Sequence, residues 1–214
     1  IPEIKKIDYK GILLIVANPV DILTTVAIKL SGFPANRVFG SGTVLDTARL
    51  KYNLGQHLDV DSRSVHAFII GEHGDSEIAA FSSANVSGIP LKQFCTDNCG
   101  NICHADKMKE IAEDVKNSAY EIIKKKNATY YGIAMSVRRI CEAVVLDQKS
   151  ILPVSCIQTG QHGISNVALS MPAVVGENGV EKTVKVSLNA EEETAVKKSA
   201  EMLKNIISEL DLDY

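Results

Sequence analysis

Gly11-Ile12-Leu13-Leu14-Ile15-Val16-Ala17, broken off by Asn18-Pro19, is the stretch that decides the fold class. A continuous run of leucine and β-branched residues is the pattern of a parallel strand covered on both faces, whereas a half-exposed strand alternates. After Pro19 the apolar residues of 20–30 recur at helical spacing, and Gly32 is a C-terminal stop. Strand, turn and helix make half of a βαβ unit. In sheets built from such units, ligands sit beyond the carboxyl ends of the strands, and Asn18 occupies that place.

Outward from this unit, residues 37–40 read as a further short strand. Ser41-Gly42-Thr43 leads into a helix running to about Leu58, and residues 64–70 form another strand. Residues 106–126 and 130–146 carry apolar side chains at helical spacing. Strands follow at 152–157, 167–175 and 180–188, with Glu177-Asn178-Gly179 as a hairpin signal. The last helix opens on a capping box, Asn189 with Glu192 three residues on. Its stripe of Val196, Ala200, Leu203, Ile207 and Leu210 packs on a core or a partner subunit.

The chain has 214 residues, 45% of them hydrophobic and 23% charged, with a formal net charge of -3. That balance belongs to a globular protein and supplies no positive footprint for nucleic acid or an anionic membrane surface. No apolar run approaches the roughly 20 residues that span a bilayer, and a cytoplasmic location is expected. The five cysteines are too scattered and odd in number for a disulfide framework. Cys141 and Cys156 read as small core residues, and Cys95, Cys99 and Cys103 with His104 as a surface loop, since their spacing fits no familiar zinc site. No metal is expected. Asn85-Val86-Ser87 and Asn127-Ala128-Thr129 match glycosylation acceptors and are expected to be unmodified.

Chemistry concentrates where residues 67–70, an apolar run, end on Gly71-Glu72-His73-Gly74-Asp75-Ser76. Histidine gives and takes a proton near neutrality, and flanking glycines allow a tight backbone and close ligand approach. Asp46 and Arg49 are spaced i, i+3 on one helix and share a face. Taken singly, they are an ordinary helix ion pair, and His73 a core histidine. Together they form a short list with a specific use. A histidine working on a substrate hydroxyl needs a carboxylate to set its tautomer, and a small carboxylic acid needs a guanidinium fork.

Four motifs, in order along the whole chain, carry a resemblance: Val16-Ala17-Asn18-Pro19-Val20-Asp21, Leu45-Asp46-Thr47-Ala48-Arg49, Gly71-Glu72-His73-Gly74-Asp75-Ser76 and Ala128-Thr129-Tyr130-Tyr131-Gly132. The chain resembles the C-terminal two-thirds of bacterial-type L-lactate dehydrogenases in the lactate/malate dehydrogenase family. The resemblance implies an α/β fold, with the remnant of a Rossmann parallel sheet over residues 1–42 and an α+β substrate domain over residues 43–214. It implies NAD as cofactor, pyruvate and L-lactate as substrates, and a homotetramer or dimer. It also implies that His73 exchanges the proton with the carbonyl oxygen and that Asp46 orients and charge-stabilises it. Arg49 would bind the substrate carboxylate, Thr129 would line the pocket, and Asn18 would bond near the carbonyl and the nicotinamide. Val16 and Ile133 would support the nicotinamide ring. Lys51 and His66 match an anion site for fructose 1,6-bisphosphate. Lysine stands there in place of arginine and loses bidentate geometry, so weakened or absent activation is expected.

A Gly-x-Gly-x-x-Gly turn with an acidic residue about twenty positions on is absent from the 214 residues. Gly40-Ser41-Gly42-Thr43-Val44-Leu45 starts the pattern and lacks the third glycine. The sequence begins Ile1-Pro2-Glu3, so an upstream segment with that turn and the specificity loop is expected, and no turnover is expected from these residues alone. Three readings compete. A malate dehydrogenase shares the fold, although Glu72 and Thr129 tilt toward lactate. A non-catalytic oligomerisation module has no use for the trio. A hydrolase lacks a Gly-x-Ser-x-Gly elbow.

Overall fold

The computed structural model describes residues 1–99 and 104–210. In chain order the elements are α1 (Pro2–Lys6), β1 (Leu13–Ile15), α2 (Val20–Ser31), β2 (Val38–Gly40), α3 (Val44–Leu58), β3 (Val65–His66), β4 (Ile69–Ile70), β5 (Ile78–Ala79), β6 (Asn85–Val86), β7 (Ile89–Pro90), α4 (Leu91–Asn98), α5 (Ala105–Lys126), α6 (Tyr131–Val145), β8 (Ser150–Thr159), β9 (Ser165–Gly176), β10 (Gly179–Thr183) and α7 (Ala190–Ser208). Five strands make the main sheet, in the order β1-β2-β8-β9-β10. Only the β1–β2 pair is parallel, with Leu13 opposite Val38. The β8–β9 hairpin pairs Ser150 with Val175 and Thr159 with Ser165.

The sheet is covered on both sides, which is why its strands read as apolar runs. One core joins Phe39, Leu152, Val154 and Val175 to Ile140 and Ala143 of α6. Another joins Leu169 and Met171 of β9 to Val196, Ala200, Leu203 and Ile207 of α7. A third lies under α3 and α5, around Leu50, Leu54, Ile111 and Val115. At Gly40, α2 packs close against the sheet. A Cβ there would fall 2.6 Å from Thr24 Oγ1 and 2.7 Å from Val20 Cγ2.

Elements whose signals are local match their expected extents. α2 ends on Gly32 in the left-handed region at φ 67°. α7 carries the full capping box, Asn189 Oδ1 accepting from the Glu192 N–H and Glu192 returning the bond to the Asn189 N–H. The strands differ more. β1 keeps three of seven residues, and β10 stops at Thr183. Residues 64–70 form two short strands in different sheets, because α3 takes over the backbone at Ile69. Its N–H donates to Thr47 Oγ1 at 2.8 Å, and its carbonyl accepts from Thr43 Oγ1 at 2.6 Å.

Cys141 is exposed on the outer face of α6, against the expected core position, while Cys156 is buried. Cys95 lies on α4, buried with Leu91, because the apolar residues of that helix face the α3–α5 core. It is disulfide-bonded, which corrects the expectation of a loop of incidental thiols. His104 stands at the N-cap position of α5 without a side-chain capping bond, and Cys103 lies outside the described residues. Leu210 is 40% exposed, so the α7 stripe ends at Ile207. No described helix is long and apolar enough to cross a membrane.

Candidate active site

Asp46 and Arg49 stand one turn apart near the start of α3, and Arg49 Nη1 donates to Asp46 Oδ1 at 3.2 Å. The other carboxylate oxygen, Oδ2, lies 2.6 Å from His73 Nδ1. The Asp46 side chain is only 4% exposed, against 25% for His73 and 18% for Arg49, so the bonds form in a poorly hydrated place. A carboxylate on Nδ1 makes that nitrogen the donor and leaves Nε2 as the one that exchanges a proton. Burial pulls the His73 imidazole down. The hydrogen bond and charge of Asp46, helped by Asp21 and Glu77, outweigh burial and hold it above its ordinary value.

His73 sits in the connection from β4 to β5, and three elements clamp that connection. From α2, the Asp21 carboxylate accepts the His73 backbone N–H at 2.7 Å and the Ser155 hydroxyl of β8 at 2.5 Å. Burial pushes Asp21 up to about 6, against the bonds from Ser155 and His73. From α7, Ser199 Oγ accepts the Glu72 N–H at 3.0 Å and meets Ser76 Oγ at 2.8 Å. From β9, Ser170 exchanges both backbone bonds with Gly71, at 2.9 and 2.8 Å. Gly71 has φ +89°, and a Cβ on it would fall 2.7 Å from Ile78 Cδ1, so both conformation and space call for glycine.

The residues expected around the trio divide into groups. Val16 and Asn18 are exposed beyond the carboxyl end of β1, five and three positions before Asp21, which ties that edge to the His73 connection. Thr129 and Ile133, both half-buried, flank the start of α6. There the α6 backbone presses on α3, since a Cβ at Gly132 would fall 3.2 Å from Leu45 Cδ1, next to Asp46. Among the described residues no hydrogen bond joins Thr129 to the trio. Lys51 and His66 lie elsewhere, lining a cavity of about 450 Å³ with Arg63 and Arg139. Burial pulls Lys51 below its ordinary value.

Sequence reasoning did not single out Asp21, Ser199 or Glu77. Asp21 was visible only as the last residue of the Asn18-Pro19 motif. Glu77 follows Ser76 with no spacing to mark it, yet its carboxylate, that of Asp46 and the His73 ring offer atoms within 4.8 Å of one another.

The description "lactate/malate dehydrogenase, alpha/beta C-terminal domain" matches residues 43–211, and "lactate/malate dehydrogenase, NAD binding domain" matches residues 1–40. The chain belongs to the lactate/malate dehydrogenase family. It is 54% identical to the L-lactate dehydrogenase of Acetivibrio thermocellus over 99% of its own length and 67% of the relative's. With the L-lactate dehydrogenase of Clostridium perfringens it shares 50% over its whole length and 67% of the relative's. The chain thus spans about two-thirds of the length of these curated relatives. Among solved structures, the minor L-lactate dehydrogenase from Enterococcus mundtii superposes with a TM-score of 0.94 at 39% identity, covering 99% of this chain and 67% of that one. A lactate dehydrogenase from a deep-sea metagenome superposes at 0.92 with 40% identity, covering all of this chain and 69% of that one.

The family's cofactor is NAD, and among the described residues two places bear on how it could be held. Val16, at 38% exposure, and Asn18 offer an open strand end beside the His73 connection. The Gly40–Leu45 turn does not fit phosphates. The Ser41 N–H already donates to the Ile15 carbonyl at 2.8 Å, and the Thr43 N–H to the Pro153 carbonyl at 3.1 Å. At Gly42, a Cβ would fall 2.5 Å from the Ser155 nitrogen, so the turn is packed against β8 and closed to a ligand.

Proposed function

We propose that these residues carry out the proton-transfer and substrate-binding half of a reversible, NAD-dependent interconversion of pyruvate and L-lactate. The observation that carries the reading is the unbroken chain from Arg49 through Asp46 to His73, at 3.2 and 2.6 Å, in a nearly buried setting. His73, charged, gives its Nε2 proton to the carbonyl oxygen of pyruvate and takes it back in the oxidative direction. NADH, when bound, supplies the hydride. Asp46 holds the ring and stabilises its charge in a low-dielectric place, where such an arrangement is most effective.

Arg49 spends one N–H on Asp46 and keeps the rest of its fork for the substrate carboxylate. Thr129 lines the pocket, Asn18 bonds near the reacting carbonyl, and Val16 and Ile133 support the nicotinamide. Residues 1–42 belong to the cofactor domain and residues 43–214 to the substrate domain. A homotetramer or dimer in the cytoplasm is part of the same reading. The outer face of α6 supports an oligomer, for it exposes Tyr131 at 75%, Met135 at 59% and Val145 at 79%. The cavity holding Lys51, Arg63, His66 and Arg139 suits an anion, and a lysine point charge there makes fructose 1,6-bisphosphate a weak activator or none.

Arg49→Lys tests the reading, since it keeps the charge and removes the fork. With pyruvate the KM rises on the order of 100-fold while kcat falls less, as expected for loss of about 2–3 kcal/mol of substrate binding. Steady-state kinetics with pyruvate and oxaloacetate, on the protein at the full length of its relatives, checks it. A variant within twofold of the parent on pyruvate, or a parent that prefers oxaloacetate, overturns the proposal.

A further inference from the structure

Glu77 stands immediately before β5, beside the proton-transfer pair, and no step above uses it. Its Oε1 is buried and has no hydrogen-bond partner among the described residues. An unpaired carboxylate oxygen out of water is costly, and side chains so placed are expected to have a reason. The groups that face Glu77 are Asp46 and Arg49 from α3, His73 from its own loop and Lys116 from α5. Those that face His73 are Asp46, Asp21 from α2 and Glu77 itself. Lys116 also donates to the Asp75 carbonyl, which draws its ammonium toward the loop backbone.

Two carboxyls and one imidazole with atoms inside 4.8 Å cannot titrate independently. Burial first, then repulsion from Asp46, push Glu77 up to about 8, against the pull of His73, Lys116 and Arg49. Such a group is neutral at pH 7, and its charge appears only as the medium turns alkaline. The negative charge then forms close to the imidazole.

We propose that Glu77 is a positioning residue of this site, whose carboxyl acts through His73 and controls how far into the alkaline range the imidazole stays charged. As pH rises, Glu77 releases its proton to solvent. The carboxylate left behind holds the proton on His73, where the pair with Asp46 alone would let it go. Reduction of a carbonyl needs the charged imidazole, so the kinetic meaning of this inference rests on the function proposed above.

The test is an NMR titration of the His73 ring in isotope-labelled protein without substrate, the signal being assigned by its loss in His73→Gln. In the unaltered protein the ring titrates above its ordinary value, with a second inflection as Glu77 ionises. In Glu77→Gln that inflection disappears and the midpoint falls by about one unit, as expected for loss of one charge at this range. A midpoint within roughly 0.2 unit of the parent overturns the inference. The carboxyl carbon of Glu77, followed in the unaltered protein, is the second measurement and does not depend on a folded variant. A midpoint near 8 supports the inference, and one near the ordinary 4.5 overturns it. Because substrate is absent, failure here is separate from failure of the proposed function. A lowered His73 midpoint with no loss of pyruvate reduction at alkaline pH overturns the proton-donor role alone.

Discussion

Asp21 carries more of the site than its place on α2 suggests, because one buried carboxylate accepts from the His73 backbone and from Ser155 on the sheet. Asn at this position offers one oxygen and a donor group, and one of its two partners then faces a donor. Asp21→Asn is expected to destabilise by about 1–3 kcal/mol, the usual cost of leaving a buried partner unmatched. Faster hydrogen exchange at the His73 amide, with a lower melting temperature, checks it; unchanged exchange counts against the clamp. At this scale the sequence showed the groups proposed to do chemistry and hid those that hold them. Asp46, Arg49 and His73 form a recognisable set because a proton donor, its orienting acid and a carboxylate clamp have few other uses together. Asp21 and Glu77 act through distances of closure that no spacing along the chain encodes.

The connection from β4 to β5 is an element whose shape depends on one glycine, at φ +89° with Ile78 Cδ1 2.7 Å from where a Cβ would stand. Gly71→Ala is therefore expected to cost more than about 1 kcal/mol, since the new side chain meets both backbone strain and a clash. It is also expected to displace His73 and lower kcat. Urea unfolding with kinetics on the same sample checks both, and a fully stable, fully active variant refutes the account. The helices were legible because their signals are local: the Asn189 capping box, the Gly32 stop and the apolar stripe of α7 each lie within a few turns. Strand extents were not, because a strand ends where its partner ends. Residues 64–70 look uniform, yet Thr43 at the N-cap of α3 and Thr47 within it capture Ile69 and divide the run between two sheets. Cys141 falls on an apolar-looking helix face that the fold leaves uncovered.

Among the described residues, three buried or half-buried groups that titrate near neutrality share one sign in their response to pH. Asp21 and Glu77 are raised to about 6 and about 8, so between the ordinary carboxylate range and those values the folded chain binds protons that the unfolded chain has lost. His73 is also raised, and its contribution is complete below 6.5 and fades as pH climbs through its higher folded value. Asp61, Asp147 and Glu193 act in the opposite sense, but solvent screens them and their effect is confined to acid; His162, lowered by burial, also opposes the trend up to pH 6.5, as one group against three. Thermal melts at constant ionic strength are thus expected to show stability falling from pH 5 to pH 8. Glu77→Gln should flatten the upper part of that decline, and a melting temperature flat or rising over the range contradicts the assignment. The sequence by itself determined the α/β class and the caps and stripes of the helices, and it singled out the candidate reacting groups, since each depends on residue chemistry and short-range periodicity. Only the tertiary structure decided the strand order β1-β2-β8-β9-β10, the clamp on His73 and the placement beside it of Glu77, whose buried Oε1 has no partner among the described residues. These arise where segments distant in sequence exclude water together, and that shared loss of solvent sets both the pairings and the protonation.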